Sequence, residues 1–190
     1  YPDIFVGRFS AATLNDLQTQ IDRTLDYEMN PYTATNWYDK TIGIASQEGP
    51  GDNNELDYEH IRVIQQMHLD FTYTYAHELF EGSQGGNDAP GHPTANQVAA
   101  AVNQGATVIN YTGHGSQSSW GTSGFNISNV NQLTNTGMLP FIWAVACVNG
   151  DFVNGTCFDE AWLRATHNNE PSGAVAMMAS TINQSWNPPM

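Results

Sequence analysis

Short apolar segments alternate along the chain with segments whose apolar residues recur at helical spacing. The strand-like segments are 3–9, 41–46, 71–77, 106–111, 139–147 and 173–180. The helix-like segments run from Ser10 to Asn30, over 58–70, from about Thr94, near 128–135 and over 158–166. Strands that alternate with helices predict an α/β fold: a mostly parallel sheet covered by helices on both faces.

The first predicted helix has the most regular pattern. Leu14, Leu17, Ile21 and Leu25 recur on one face, which we expect to be buried, and Ser10 is the predicted N-cap. The dipeptide Asn-Pro at 30–31 ends the helix, since the residue before a proline is disfavoured in the helical region.

Three reactive side chains follow predicted strands. His114 stands between two glycines after the strand 106–111, Cys147 ends the strand 139–147, and Glu48 lies in the loop after the strand 41–46. In open α/β sheets, sites form beyond the carboxyl ends of the strands. The sequence therefore predicts that these three residues share one edge of the sheet.

A cysteine at such an edge can serve as a nucleophile if a base lies beside it. Of the six histidines, only His114 combines a strand end with flanking glycines. A backbone N–H beside the histidine and the N–H of Cys147 could both point at a developing oxyanion. The alternative is an inert thiol, because most free cysteines are buried and unreactive.

The charge balance excludes some partners. The chain has nineteen acidic and five basic residues, for a net charge of −14. This balance argues against nucleic acid and against anionic membranes, and it suits a basic substrate, a salt-rich exterior or solubility alone. No apolar run approaches the ~20 residues of a membrane span, so no membrane insertion is expected.

Two further motifs are weak metal candidates. The segment HELFE (77–81) lacks the second histidine of a zinc-binding HExxH helix. The carboxylates of 48–59 could bind calcium, but they lack EF-hand spacing, and a solvated loop explains them as well.

Longer motifs resemble a known family. The segments YTGHGSQSSWGT (111–122), PFIWAVACVNGDF (140–152) and ASTINQSW (179–186) resemble the catalytic domain of the gingipain family of cysteine peptidases. VGRFSA, LQTQIDRT and IASQEGP resemble its flanking segments in the same order. The resemblance covers nearly the whole chain, is weakest at 71–95, and is strongest to the arginine-specific members.

The resemblance implies roles for individual residues. Cys147 would be the nucleophile, His114 the general base and acid, and Glu48 the acid that orients the histidine. The N–H groups of Gly115 and Cys147 would form the oxyanion hole. Asp57 matches the carboxylate at the bottom of the primary specificity pocket. The other pocket walls would be Thr112, Val145 and Trp186.

The resemblance also implies a caspase-like three-layer sandwich and an endopeptidase that cleaves after a basic residue, with arginine preferred. Residues 1–190 would be a catalytic subdomain without the family's N-terminal subdomain and C-terminal end. Protein or peptide substrates, and the N-terminal subdomain or a propeptide, are the expected partners. We expect a secreted or cell-surface protein with no catalytic cofactor, and structural calcium is possible. The alternatives are another side-chain preference or a catalytically silent acidic binding module.

Overall fold

The computed structural model describes residues 6–34 and 36–187, in which strands and helices alternate. The strands are β1 Lys40–Ala45, β2 Tyr75–Phe80, β3 Val108–Thr112, β4 Gly115–Ser116, β5 Ser119–Trp120, β6 Phe141–Val145, β7 Thr166–His167, β8 Glu170–Pro171 and β9 Ala176–Met178. The helices are α1 Leu14–Met29, α2 Asp57–Phe71, α3 Ala95–Gln104, α4 Ile127–Val130 and α5 Phe158–Arg164.

A five-stranded sheet in the order β2-β1-β3-β6-β9 forms the centre of the fold. All four strand pairs are parallel, which confirms the predicted sheet. Two short antiparallel hairpins, β4–β5 and β7–β8, lie outside this sheet. No helix in the described part of the chain combines the length and apolar character that crossing a membrane requires.

The two faces of the sheet are covered unequally. The larger core joins Ile42 and Ile44 of β1 to Val98, Val130 and Trp162, so α3, α4 and α5 cover this face. The other face carries α2, whose residues join a small second cluster. The predicted three-layer arrangement is therefore confirmed, although α2 packs over β2, β1 and β3 and leaves the side of this face at β6 and β9 partly exposed.

Helix α2 lies unusually close to β1 because Gly43 has no side chain. A methyl group on Gly43 would lie 2.4 Å from Ile61 Cγ2. Beyond α2, the same face leaves Trp143 of β6 47% exposed and Met178 of β9 50% exposed. An apolar strip of the sheet is thus only half covered by the described residues.

Two predicted elements differ from the structure. The strand predicted at 71–77 begins at Tyr75, because α2 continues to Phe71. The Thr72 N–H donates a hydrogen bond to the His68 carbonyl and so completes the last turn of α2. Of the strand predicted at 3–9, residues 3–5 lie outside the described part, and residues 6–9 have no regular structure.

Helix α1 also differs in its cap and its buried face. Its N-cap is Thr13 rather than Ser10, since Thr13 and Asp16 form a reciprocal capping box. Leu14 is 86% exposed, whereas Gln20 and Arg23 are buried. Leu17 and Ile21 are half-buried, so the packed face overlaps the predicted apolar stripe but is centred on polar residues.

The contacts of Arg23 explain why a polar part of α1 is buried. Its guanidinium donates to the carbonyl oxygens of Trp162, Ala165, Ser172 and Ala174 at 2.7–3.1 Å. Burial lowers the pKa of Arg23 to about 10, so the group stays charged at neutral pH. The helix docks through this fork onto carbonyls of α5 and of the segment before β9, of which those of Trp162 and Ala165 also accept the backbone N–H groups of Ala174 and Ser172.

Replacing Arg23 with methionine should lower the free energy of unfolding by about 3 kcal/mol, since buried carbonyls would lose their donors. Urea denaturation would measure this loss. Arg8→Met is the matched control, because the Arg8 side chain is 51% exposed and should contribute at most about 1 kcal/mol. Equal losses in the two variants would contradict the role of Arg23 in docking α1.

Candidate active site

Three neighbouring strands end at the same level of the sheet. Ala45 of β1 pairs with Thr112 of β3, and Thr112 pairs with Val145 of β6. The ladder continues one step further: the Ser46 N–H donates to the Thr112 carbonyl at 3.0 Å, and the Gly113 N–H donates to the Val145 carbonyl at 3.2 Å. The predicted site residues follow one or two positions later along each of the three strands. They therefore lie at the same edge of the sheet, as expected.

The imidazole of His114 contacts a carboxylate from the neighbouring loop. His114 Nε2 lies 3.1 Å from Glu48 Oε2, with both side chains more than half exposed. The backbone of the histidine is fixed as well, because its carbonyl accepts the Tyr111 hydroxyl at 2.5 Å and the Gly121 N–H at 2.7 Å. The Glu48 contact occupies Nε2 and leaves Nδ1 as the ring nitrogen available for proton exchange.

Cys147 is half-buried at the start of a tight turn. Its Sγ lies 3.4 Å from the Gln184 nitrogen and 3.5 Å from the Gln184 oxygen. The following residue, Val148, has φ +47°, a conformation that a β-branched side chain rarely adopts. The Val148 N–H donates a hydrogen bond to the Ile182 carbonyl at 3.1 Å, which stabilises the turn. The thiol thus lies between the end of β6 and the segment around Gln184.

Cys147 also lines a small cavity. The cavity is bounded by the ends of β3 and β6 and by the segment 184–186; its walls are Thr112, Gly113, Val145, Ala146, Cys147, Gln184, Ser185 and Trp186. The predicted pocket walls are all among them. Its volume of about 10 Å³ has room for about one water molecule. The Trp186 ring centroid lies 5.1 Å from that of His114, which joins the cavity to the imidazole.

A buried carboxylate lies directly behind the Trp186 wall. Asp57, the first residue of α2, is fully buried. Its carboxylate accepts the indole N–H of Trp186 at 2.6 Å and the hydroxyl of Ser46. Burial raises the pKa of Asp57 to about 6, against the opposing effect of these two hydrogen bonds. Two neutral donors thus hold a carboxylate that has no cationic partner among the described residues.

Gly115 packs against the turn that carries Cys147. A methyl group on Gly115 would lie 2.7 Å from the Cys147 carbonyl oxygen and 2.8 Å from Ala146 Cβ. Only glycine permits this approach. The structure therefore brings together Gly115 and Cys147, whose N–H groups the sequence predicts to face one oxyanion.

The sequence profile of peptidase family C25 matches residues 1–189. The chain belongs to peptidase family C25. It is 46% identical over 193 residues to Gingipain R2 of Porphyromonas gingivalis, an alignment that covers 100% of this chain and 25% of that protein. It is 26% identical over 190 residues to Lys-gingipain of the same species, covering 98% of this chain and 10% of that protein.

Solved C25 structures confirm the caspase-like fold. The crystal structure of the Arg-specific cysteine proteinase gingipain R superposes with a TM-score of 0.92 at 44% identity, covering 100% of this chain and 42% of that one. A complex of the pro- and mature domains of Porphyromonas gingivalis RgpB gives a TM-score of 0.90 at 44% identity, covering 98% and 43%. The chain thus spans about a quarter of its curated relative's length and less than half of the solved chains.

The sequence did not single out several residues of this C25 site. Ser46, Tyr111 and Gln184 contact Asp57, the His114 carbonyl and Cys147 respectively. A serine next to a strand end was the only signal that could have indicated Ser46. The backbone contact of Gln184 with Cys147 depends on how the segment 180–187 folds back onto the nucleophile turn.

The placement of possible metal ligands was a further expectation from the sequence. Within residues 6–34 and 36–187, no group of three or more His, Cys, Asp and Glu side chains is placed to hold a metal ion. The HELFE segment lies mostly in β2, where Glu78 pairs with Arg62 at 2.9 Å. Structural calcium stays a prediction.

Gly115→Ala should lower the melting temperature, because the new methyl group would meet a carbonyl oxygen and a Cβ well inside van der Waals contact. Thermal unfolding is the measurement. Gly7→Ala is the control, since a methyl group there meets nothing within 4 Å. A parental melting temperature in Gly115→Ala would show that the two turns can separate without loss.

Proposed function

We propose that this chain is the catalytic subdomain of a larger cysteine endopeptidase that cleaves peptide bonds after arginine. The observation that carries the proposal is the buried Asp57 carboxylate behind the Trp186 wall of the cavity that Cys147 lines. Such a carboxylate beside a thiol has the chemistry needed to select a cationic side chain next to the scissile bond.

In the proposed mechanism Cys147 attacks the peptide carbonyl. His114 exchanges a proton with the thiol through Nδ1 and then protonates the leaving amine, while Glu48 on Nε2 orients the ring and stabilises its charged form. The N–H groups of Gly115 and Cys147 bind the oxyanion. Water then attacks the thioester, with His114 taking its proton, and releases the acid product.

The proposed specificity follows from the electrostatics of Asp57. A carboxylate without a cationic partner gains most from a charged group that enters a desolvated site. The planar guanidinium of arginine can bond both oxygens and stack on the face of Trp186, whereas lysine offers a compact point charge. The higher identity to Gingipain R2 than to Lys-gingipain supports the same preference. Because the cavity is nearly closed, we expect Trp186 to shift when arginine enters.

The proposal that the chain is part of a larger unit rests on two observations. The chain spans 42% of the matched gingipain R chain, and the strip of the sheet around Trp143 and Met178 is exposed. Parallel sheets are normally covered on both faces. We propose that further parts of the protein, including an N-terminal subdomain, complete this cover.

The remaining features of the proposal follow from the family. The solved complex of RgpB pro- and mature domains supports a propeptide as partner. A secreted or cell-surface location, protein or peptide substrates and structural calcium belong to the same proposal. The competing function is a catalytically silent acidic binding module, which would need no reactive thiol.

The first test compares the two cysteines. Iodoacetamide should alkylate Cys147 at least about tenfold faster than Cys157, which is 1% exposed and whose pKa burial raises to about 11. Peptide mapping of the labelled protein measures both rates. Cys147→Ala is the control and should lose all cleavage of arginine peptides. Equal labelling of the two thiols would favour the silent module, whereas cleavage by the alanine variant would show that Cys147 is not the nucleophile.

The second test uses pH and Asp57. Because only ionised Asp57 attracts arginine, kcat/KM for an arginine peptide should rise with pH through about 6 and level off above it. The rate of iodoacetamide alkylation, which does not involve Asp57, separates this titration from that of the thiol and imidazole. Asp57→Asn should lower kcat/KM by about 10- to 1000-fold, the effect of truncating one partner of a buried charge pair.

Glu55→Gln is the matched control for Asp57. Glu55 lies in the same loop, but its carboxylate already contacts His60 Nδ1 at 2.9 Å. We expect its kcat/KM to stay within about twofold of the parent. An Asp57→Asn variant that keeps its arginine preference, or a loss in Glu55→Gln instead, would place the specificity carboxylate elsewhere.

A further inference from the structure

One side chain joins the turn after Cys147 to the hairpin after His114. Asn149 is fully buried, and its Nδ2 donates to the carbonyl oxygens of Ser116 at 2.6 Å and Ser119 at 3.1 Å. Ser116 and Ser119 are the facing residues of the β4–β5 hairpin. Both amide protons of Asn149 are therefore used to hold this hairpin.

The same amide lies against Gly115. A methyl group on Gly115 would lie 3.0 Å from Asn149 Nδ2 and 2.7 Å from the Cys147 carbonyl oxygen. Gly115 pairs with Trp120 next to the pair that Asn149 binds. The position of the Gly115 backbone relative to Cys147 thus depends on this amide.

We propose that Asn149 is a positioning residue that sets the separation of the Gly115 and Cys147 N–H groups that bind the oxyanion. The inference rests on the proposed function. Oxyanion donors act only when they are fixed about 2.7–3.1 Å from the developing charge. Asn149 acts through the two turns and needs no contact with the substrate.

The hydrogen bonding of Asn149 supports a role beyond packing. Its Oδ1 is buried and has no hydrogen-bond partner among the residues that the structure describes. A buried acceptor without a partner costs stability. A side chain selected for stability alone would avoid this cost, whereas one selected for two donors at this position would retain it.

Asn135 provides a matched control. It is also fully buried, and its Nδ2 donates to the carbonyl oxygens of Met138 at 2.9 Å and Gly173 at 2.8 Å. These contacts lie near the amino ends of β6 and β9, at the edge opposite the candidate site. Loss of either amide removes two donors, but only loss of Asn149 should affect the oxyanion.

The test compares Asn149→Asp and Asn149→Ala with Asn135→Asp and Asn135→Ala in the full-length protein. For an arginine peptide amide, kcat should fall about 10- to 100-fold in the Asn149 variants, with KM within about twofold. Alkylation of Cys147 by iodoacetamide needs no oxyanion and should keep its parental rate. The folded Asn135 variants should retain the parental kcat.

Four results would overturn the inference. A parallel loss of kcat and alkylation rate would mean that Asn149 acts on the thiol. Unchanged kcat in a folded Asn149 variant, or failure of both Asn149 variants to fold while the Asn135 variants fold, would make the residue purely structural. A parent protein that is alkylated but cleaves no arginine peptide would instead refute the proposed function, and this inference with it.

Discussion

The register of three parallel strands is the constraint on which the rest of the site depends. Ala45, Thr112 and Val145 lie side by side, and the next few residues of each chain carry Glu48, His114 and Cys147. A change of one residue in either pairing would move a side chain by about 3.3 Å along the sheet and turn it to the other face. Side chains distant in sequence meet here because hydrogen bonds of the sheet align the strand ends.

Two buried charged groups, Arg23 and Asp57, differ in how fully hydrogen bonds compensate their charge. Arg23 has its fork occupied by four backbone carbonyls, so its charge is used within the fold. Asp57 receives only the neutral donors of Ser46 and Trp186, and burial raises its pKa to about 6. The raised pKa means that ionised Asp57 disfavours the folded state as pH rises through about 6. An entering cation would offset that cost, so cation binding at Asp57 would stabilise the folded state.

The sequence predicted the sheet, the order of the elements and the residues at the strand ends. It failed for α1, where Leu14 is exposed and Arg23 is buried. Helical spacing shows which residues share a face, but it does not show that four carbonyls within residues 162–174 accept the Arg23 guanidinium. The late start of β2 has a local cause, since a hydrogen bond from the Thr72 N–H to the His68 carbonyl extends α2 to Phe71.

For the candidate site, the sequence by itself determined which chemical groups are present: a thiol, an imidazole between glycines, and carboxylates in the loop after β1. It also determined their place, because apolar strands that alternate with helices bring their carboxyl ends to one edge. Only the tertiary structure decided the contacts of Asp57 with Trp186, of Gly115 with the Cys147 carbonyl, and of Asn149 with the hairpin. Each of these contacts joins residues at least 30 positions apart, and no local pattern encodes distances that depend on how the loops fold onto one another.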